Sequence, residues 1–304
     1  MGSPVLRVKN IVKVAAFYER LGLQISKKYQ NENGNILFEL GFRQGTDYTD
    51  TMQPLVILHQ DPDARYAPRH SAGLFHFAIL VPDRKSLAST YLALREIGVE
   101  YDGFADHLIS ESLYLRDPEN NGIEIYRDRP NKEWPRDSQG HIMMDTLPLD
   151  LDALVLEELN QEEQRESAKP FPKGARIGHI HLRVTNLERS IKFYHEKLGL
   201  DITVDWSSMG AAFLSAGGYH HHIALNTWNS LNGNAHIDIE AGLEYFTIKT
   251  HNRSYFDTIR SIIYDSITPK QQKKQSRREE EEVNDKNQIL IKDPDGIQIL
   301  IKSE

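Results

Sequence analysis

The chain of 304 residues contains no cysteine, which excludes disulfide bridges, thiolate metal sites and thiol nucleophiles. It also lacks an excess of basic residues, because 36 lysines and arginines against 44 acidic residues give a net charge of −8. A nucleic-acid partner is therefore not expected. No apolar run approaches the roughly 18 residues that span a bilayer, and the N-terminus does not have the pattern of a secretory signal. These absences predict a cytoplasmic protein without a membrane partner, and its 13 histidines are the main candidates for chemistry.

Internal repeats are the dominant feature that is present. LRVKNIVKVAAFYERLGLQI, starting at Leu6, matches LRVTNLERSIKFYHEKLGLDI, starting at Leu182. AGLFHFAILVPD from Ala72 likewise matches AGLEYFTIKTHN from Ala241. Each copy has a short strand, an Asn or Asp that can cap a helix, an amphipathic helix and then several short strands. The sequence therefore predicts an α+β protein of four βαβββ modules, which start near residues 3, 74, 177 and 243.

The modules divide into two predicted domains, residues 1–130 with modules one and two and residues 176–304 with modules three and four. Residues 131–175 between them have an acidic helical stretch followed by proline-rich sequence, which predicts a linker with one surface helix. Module four contains a charged insertion, residues 268–287, with a basic run followed by an acidic one. We interpret it as a solvated loop, with a docking tail as the alternative.

The histidines follow the register of the repeats. Aligned on the Asn or Asp after the first strand, the four modules have Ser3, His76, His179 and Tyr245 at one position. At the last strand, Glu124 of module two corresponds to Gln298 of module four. Two imidazoles and one carboxylate form a ligand set that suits non-heme Fe(II), and Mn(II) fits the same ligands. Although an isolated strand histidine is usually a hydrogen-bonded core residue, an unpaired carboxylate in the apolar strand GIEIY would be costly. We therefore predict that His76, Glu124 and His179 bind a metal, and that the equivalent residues of modules one and four are structural.

Further candidates are expected around this metal site. In GYHHHIALN, strand alternation is expected to point His222 towards His179, whereas His220 is expected on a surface loop. A histidine with a pKa of about 6.5 can transfer protons near neutral pH, so His222 is a candidate acid–base group. The remaining candidates are His107 and Tyr114 on the strands before Glu124, and, as substrate-binding residues, His221, Phe75, Phe77, Trp228, Phe246 and His236. His236 lies in the segment 226–240, which is a candidate lid.

This pattern resembles the vicinal oxygen chelate superfamily of glyoxalases, bleomycin resistance proteins and extradiol dioxygenases. Within it, the chain is most similar to the type I extradiol, catechol-2,3-dioxygenase-like group. The segments that carry the resemblance are GLFHFAILVPDR, GHIHLRVTNL, GYHHHIALNTW and DHLISESLYLRDPENNGIEIY. The resemblance covers nearly the whole chain except the linker and the charged insertion, and it implies that pairs of modules form two half-barrel units.

The resemblance also implies a function. It implies an Fe(II)-dependent dioxygenase that opens a catechol-type ring beside its diol and inserts both atoms of O2. The implied metal ligands are His179, His76 and Glu124, and the implied catalytic residues are His222 as acid–base group, His107, and Tyr114 as a hydrogen-bond partner of the substrate oxygen. Because His76 and Glu124 lie in the first half of the chain, modules two and three are expected to face each other, either within one chain or across a swapped homodimer.

Two other functions are compatible with such a fold. A glyoxalase-type isomerase or lyase needs a second carboxylate at the end of a paired module, where module three has HHHIAL instead. A non-catalytic protein that binds small molecules would be favoured by the loss of one ligand, yet all three are present. The extradiol dioxygenase is therefore the preferred interpretation.

Overall fold

The computed structural model describes residues 1–32, 34–42, 52–160, 162, 171–265 and 287–304. Apart from Asn287, the charged insertion at residues 268–287 lies outside these described residues. Within the described ranges, no helix combines the length and the apolar character that crossing a membrane requires.

The described residues form five α-helices and sixteen strands. The helices are α1 (Ile11–Arg20), α2 (Arg84–Glu96), α3 (Leu151–Glu158), α4 (Leu187–Lys192) and α5 (Arg253–Asp265). The strands are β1 (Val5–Val8), β2 (Gln24–Gln30), β3 (Ile36–Phe42), β4 (Gln53–Gln60), β5 (Arg65–Tyr66), β6 (Gly73–Leu80), β7 (Tyr101–Asp106), β8 (Ser110–Arg116), β9 (Gly122–Asp128), β10 (Arg176–Arg183), β11 (Asp201–Trp206), β12 (Ala211–Ser215), β13 (Ile223–Asn226), β14 (Glu240–Thr250), β15 (Gln288–Lys292) and β16 (Gln298–Ser303).

Two curved sheets of eight strands contain these strands, and each sheet combines two modules. Modules two and three form the sheet with the order β11-β12-β13-β10-β6-β9-β8-β7. Modules one and four form the sheet with the order β15-β16-β14-β1-β4-β3-β2, in which β5 also pairs with β14. The predicted α+β class and the two half-barrel units are confirmed.

Modules two and three join within one chain. Their first strands, β6 and β10, pair antiparallel, with His76 opposite His181. Strand β9 pairs with β6 in parallel, so the strand that carries Glu124 lies beside the strand that carries His76. Both sheets therefore cross the predicted domains 1–130 and 176–304, and the alternative left open by the sequence is resolved in favour of pairing within the chain.

Each module starts its helix with the cap that its sequence predicts. The side-chain oxygens of Asn10, Asp83, Asn186 and Asn252 accept the backbone N–H three residues further on, at 2.7–3.0 Å. These bonds satisfy donors that have no partner inside the helix. The caps thus mark the end of each first strand and fix its register relative to the following helix.

Strand alternation in β10 separates the core from the site. Ile180 and Leu182 are fully buried in the hydrophobic core. Because successive side chains of a strand point to opposite faces, His179 and His181 lie on the other face of the sheet. The same pattern that gives module three its core therefore places two histidines on the concave side.

The linker packs against module two. Its predicted surface helix is α3, in which Leu154 is fully buried. Glu157 and Glu158 of this helix pair with Arg84 at the start of α2, at 2.7 and 3.3 Å. Helix α3 of the linker is thus held against module two.

Candidate active site

The three predicted metal ligands meet on the concave face of the sheet that modules two and three form. His76 on β6, Glu124 on β9 and His179 on β10 each offer a ligand atom within 4.8 Å of the others. Oε2 of Glu124 lies 2.9 Å from Nε2 of His76 and 2.9 Å from Nε2 of His179. All three side chains are buried, with 6%, 3% and 2% of their surface exposed in chain order. Three strands that are distant in sequence thus supply one compact cluster.

The geometry of this cluster fits a metal ion. Ligands at about 2.1 Å from an octahedral ion are separated by about 3 Å, which matches the two N–O distances. Despite its proximity to Glu124, Nε2 of His76 is a buried atom without a hydrogen-bond partner among the described residues. A buried polar atom without a partner is costly, and coordination of a metal would remove that cost. The donor set of two imidazoles and one carboxylate is that of a facial triad.

The electrostatics of the cluster keep its carboxylate ionised. Burial alone raises the pKa of Glu124, but the neighbouring His179 and His76 bring this pKa well below its ordinary value. Burial lowers the pKa of His179, which favours the neutral imidazole. Ser112 donates a hydrogen bond of 2.6 Å to Oε1 of Glu124, so Oε2 is the oxygen turned towards the histidines. An ionised carboxylate and a neutral imidazole are the forms that bind metals.

A cavity of about 300 Å³ opens above the three ligands. Its wall is largely aromatic, with Phe75, Tyr114, Trp206, Phe213 and Trp228 among the lining residues. This volume is at the small end of the range for ligand sites. The cavity is therefore of a size for a small ring, whose flat faces can pack against these side chains.

His107 and Tyr114 form a hydrogen-bonded pair in the cavity wall. Nε2 of His107 lies 2.7 Å from the hydroxyl of Tyr114, and Nδ1 of His107 lies 2.8 Å from the backbone carbonyl oxygen of Asp145. Because a carbonyl only accepts, Nδ1 of His107 is the protonated nitrogen. Burial raises the pKa of Tyr114 well above its ordinary value, so this phenol stays neutral.

His221 and His222 are consecutive but have different environments. His221 lines the cavity, and its ring centroid lies 4.2 Å from that of His179. His222 is absent from the cavity wall, and its Nδ1 lies 2.9 Å from the hydroxyl of Ser215. Burial lowers the pKa of His221 well below its ordinary value, so its imidazole is neutral.

Comparison with known proteins agrees with this architecture. A family model described as the Glyoxalase/Bleomycin resistance protein/Dioxygenase superfamily matches residues 1–125 and 176–301. The chain belongs to this superfamily. A Bacillus subtilis protein named catechol-2,3-dioxygenase is 38% identical to it over 261 residues, which is 85% of each protein. The resemblance recognised in the sequence is thereby confirmed.

Two solved structures have a fold similar to that of this chain. Glyoxalase I from Zea mays has a TM-score of 0.52 and 16% identity, with 100% of this chain and 92% of that chain covered. The cppA protein from Streptococcus pneumoniae has a TM-score of 0.54 and 12% identity, with 99% of this chain and 97% of that chain covered. At these identities the likeness is one of fold alone.

His222 was expected to point towards His179, but in the structure it is the neighbouring His221 that lies beside His179 and lines the cavity. Strand β13 begins only at Ile223, so its alternation does not extend back to His222. His220 was expected on a surface loop, but it is fully buried and lies 2.7 Å from Asp128. The error has one physical reason, because alternation predicts orientation only inside a regular strand.

Three of the expected substrate-binding residues lie outside the cavity. Phe77 and Phe246 are fully buried in the hydrophobic core. Nδ1 of His236 lies 3.1 Å from Glu240, and its backbone N–H donates to the carbonyl oxygen of Asp295 at the other sheet. The expected lid residue His236 therefore does not reach the site, whereas Phe75, Trp228 and His221 line the cavity as expected.

The sequence interpretation missed His181 and two linker residues. His181 lines the cavity, and its Nε2 lies 2.9 Å from the side-chain amide of Asn226. Its position two residues after His179 on one strand was a sufficient signal. Met144 and Thr146 of the linker also line the cavity. No local pattern indicates this contribution, because it depends on how the linker folds back.

A second and larger cavity, of about 510 Å³, has a different character. It is lined by charged residues around Glu111, which accepts hydrogen bonds from Arg84, Arg127 and Arg129. Since each of these arginines is paired with a carboxylate, this cavity contains a salt-bridge network. The reactive groups are concentrated at the His76–Glu124–His179 cluster.

Proposed function

We propose that this protein is an Fe(II)-dependent extradiol dioxygenase that cleaves a catechol-type aromatic ring and inserts both atoms of O2. The observation that carries the proposal is the buried His76–Glu124–His179 cluster at the base of a small aromatic cavity. This ligand set leaves open coordination positions, so a bound Fe(II) would supply sites for both diol oxygens and for O2. The relationship to a protein named catechol-2,3-dioxygenase supports the same activity.

The aromatic wall positions the ring. Phe75 and Trp228 lie edge to face, with ring centroids 5.4 Å apart, and Trp206 and Phe213 lie 5.4 Å apart in the same geometry. Such rings restrict a flat substrate to few orientations and keep water from the reacting carbons. Excluding water also strengthens each hydrogen bond made inside the cavity.

His107 and Tyr114 bind a substrate oxygen. Since Nε2 of His107 is the unprotonated nitrogen, the Tyr114 hydroxyl donates to it and offers its own oxygen as an acceptor. The phenol oxygen can accept the hydrogen of a substrate hydroxyl and so fix the diol in place. The raised pKa of Tyr114 keeps it a neutral hydrogen-bond partner across the physiological range.

His221 is the acid–base group in this proposal. It is neutral and lies beside His179 in the cavity wall, within reach of a proton released from the diol. General acid–base catalysis by a placed histidine contributes about 10²–10⁴ in rate. His222 has no such role, because its ring is bonded to Ser215 outside the cavity.

A glyoxalase-type isomerase is the rival within this fold. Such a site needs a second carboxylate ligand, and the cluster that the described residues form has Glu124 alone. At the corresponding end of module three, β13 carries Ile223 and Leu225 in the core, with no acidic residue in the strand. The donor set therefore favours redox chemistry with O2 over isomerisation.

The test is oxygen uptake after anaerobic loading with Fe(II), with catechol as substrate. We expect one O2 consumed for each yellow ring-opened product formed. The Glu124→Ala variant should lose bound metal and all uptake without unfolding, as checked by circular dichroism. Bound iron without uptake across several diols, or isomerisation of a hemithioacetal by the loaded protein, would contradict the proposal.

A further inference from the structure

His221 is connected to a chain of hydrogen bonds that leads away from the cavity. Its Nδ1 lies 2.7 Å from Nδ1 of His220, and Nε2 of His220 lies 2.7 Å from Oδ1 of Asp128. The His220 side chain is fully buried, whereas that of Asp128 is 21% exposed. These hydrogen bonds thus connect the partly exposed carboxylate of Asp128, through the buried imidazole of His220, to His221 in the wall of the candidate active site.

The carboxylate sets the position of each proton along this chain. Because a carboxylate only accepts hydrogen bonds, Nε2 of His220 donates to Asp128. A neutral imidazole carries one N–H, so Nδ1 of His220 is an acceptor. Nδ1 of His221 must then donate to it, which leaves the lone pair of His221 on Nε2. The opposite arrangement would place two acceptors, Asp128 and Nε2 of His220, against each other.

The surrounding side chains hold His220 and Asp128 in this arrangement. The hydroxyl of Tyr219 donates to Oδ2 of Asp128 at 2.9 Å, and the hydroxyl of Tyr126 lies 2.8 Å from that of Tyr219. The Tyr219 ring lies 4.0 Å from the ring of His220, and Trp134 of the linker lies 5.3 Å from it. The His220 ring is packed between these two aromatic rings, and rotating it by 180° would break both of its hydrogen bonds.

We propose that Asp128 and His220 are positioning residues that hold His221 as the Nδ1–H tautomer, with the Nε2 lone pair available as a base in the cavity. The role in turnover rests on the proposed function, because only a reaction in the cavity uses that lone pair. The tautomer itself is a property of the folded chain. It follows from two hydrogen bonds, between His221 and His220 and between His220 and Asp128, and does not depend on the substrate.

The direct test reads the tautomer of His221 by NMR. Protein labelled with ¹⁵N-histidine and loaded with diamagnetic Zn(II) should show the His221 proton on Nδ1. In His220→Leu this preference should be lost, and in His220→Asn, whose side-chain oxygen can replace Nδ1, it should return. His222→Ala is the matched control, in which the tautomer should not change, since it removes a neighbouring imidazole bonded to Ser215 and keeps both hydrogen bonds of His220. A His221 proton on Nε2 in the unmodified protein, or an unchanged tautomer in His220→Leu, would overturn the proposal.

Kinetics with the Fe(II)-loaded protein give the second readout. His220→Leu should lower kcat for catechol at least about 10-fold with little change in KM, because the base is affected and ring binding is not. His220→Asn should recover a part of that loss. An unchanged kcat in His220→Leu would also refute the positioning role. If the unmodified protein turns over no diol at all, the proposed function fails, and the NMR result still decides the tautomer.

Discussion

At the scale of single residues, position in the cavity wall separates histidines that can react from buried histidines that only pack. His76, His179, His181 and His221 all lie in the wall of one cavity and are nearly inaccessible to bulk solvent. Burial lowers the pKa of His181 and of His221 well below the ordinary value. Burial also lowers the pKa of His179, so burial favours the neutral form of these three imidazoles. Neutral imidazoles are also the form that binds metals and accepts protons.

Two adjacent histidines provide a matched pair of variants for the acid–base assignment. His221→Ala should keep the metal and lower kcat at least about 100-fold, whereas His222→Ala should change kcat less than about 3-fold. The physical reason is position, because only His221 lines the cavity. Steady-state oxygen uptake together with metal analysis of both variants measures this. A larger loss in His222→Ala than in His221→Ala would show that the roles are reversed.

At the scale of elements, one turn motif recurs before the last strand of modules two and four. Asp117 and Asp293 start these turns, and each accepts two backbone N–H groups of its own turn at 2.8–2.9 Å. Each also accepts a hydroxyl hydrogen from the helical segment of the preceding module, from Tyr18 at 3.3 Å and from Tyr194 at 3.1 Å. These bonds connect modules one and two, and modules three and four, across the two sheets.

The buried turn of module four predicts a stability that depends on pH. Burial raises the pKa of Asp293 from 3.8 to about 6. Between these values the folded state holds a proton that the unfolded state has lost, so stability falls as pH rises from about 4 to about 6. The loss of stability over this pH range amounts to at most about 3 kcal/mol. Asp293→Asn should abolish it, because the uncharged amide resembles the protonated acid.

Urea unfolding at pH 4.5 and pH 7 measures this prediction. The free energy of unfolding of Asp293→Asn, relative to that of the unmodified protein, should be higher at pH 7 than at pH 4.5. The exposed Asp201 offers the control, Asp201→Asn, which makes the same chemical change away from the buried turn. An Asp293→Asn variant with the same relative stability at both pH values would show that Asp293 is ionised throughout.

At the scale of the whole molecule, the metal ligands come from both halves of the chain and meet in one sheet. His76 and Glu124 come from module two and His179 comes from module three, and the β6–β10 pairing brings them together. The Tyr18–Asp117 hydrogen bond connects the two sheets within the first half of the chain, and the Tyr194–Asp293 hydrogen bond connects them within the second half. Each half of the chain is therefore held by contacts that do not pass through the linker.

Cleavage of the linker tests this arrangement in the intact protein. A protease site inserted between Asn160 and Phe171 should allow the chain to be cut without separation of the two halves. We expect the cut protein to elute as one species in gel filtration and to retain its metal, because strand pairing and not the linker holds the halves together. Separation of the halves under native conditions, or loss of metal on cutting, would contradict the pairing of modules two and three within the chain.

The site could be predicted from the sequence to the extent that its residues lie in regular, repeated elements. The register of the repeats identified His76, His179 and Glu124, because equivalent positions of equivalent strands point to the same face. It did not identify His221, since this residue lies before β13 begins, where no periodicity sets its direction. Met144 and Thr146 were missed for a related reason, because the linker has no repeat with which it can be compared.

By itself, the amino-acid sequence determined the four modules, the Asn and Asp residues that cap their helices, and the three side chains that could bind a metal. These features follow from local hydrogen bonds and from the alternation of side chains along a strand, which operate over a few residues. Only the tertiary structure decided that module two pairs with module three in one chain, and that His221, not His222, enters the cavity. Such choices depend on contacts between residues that are far apart in the sequence, where short-range patterns have no influence.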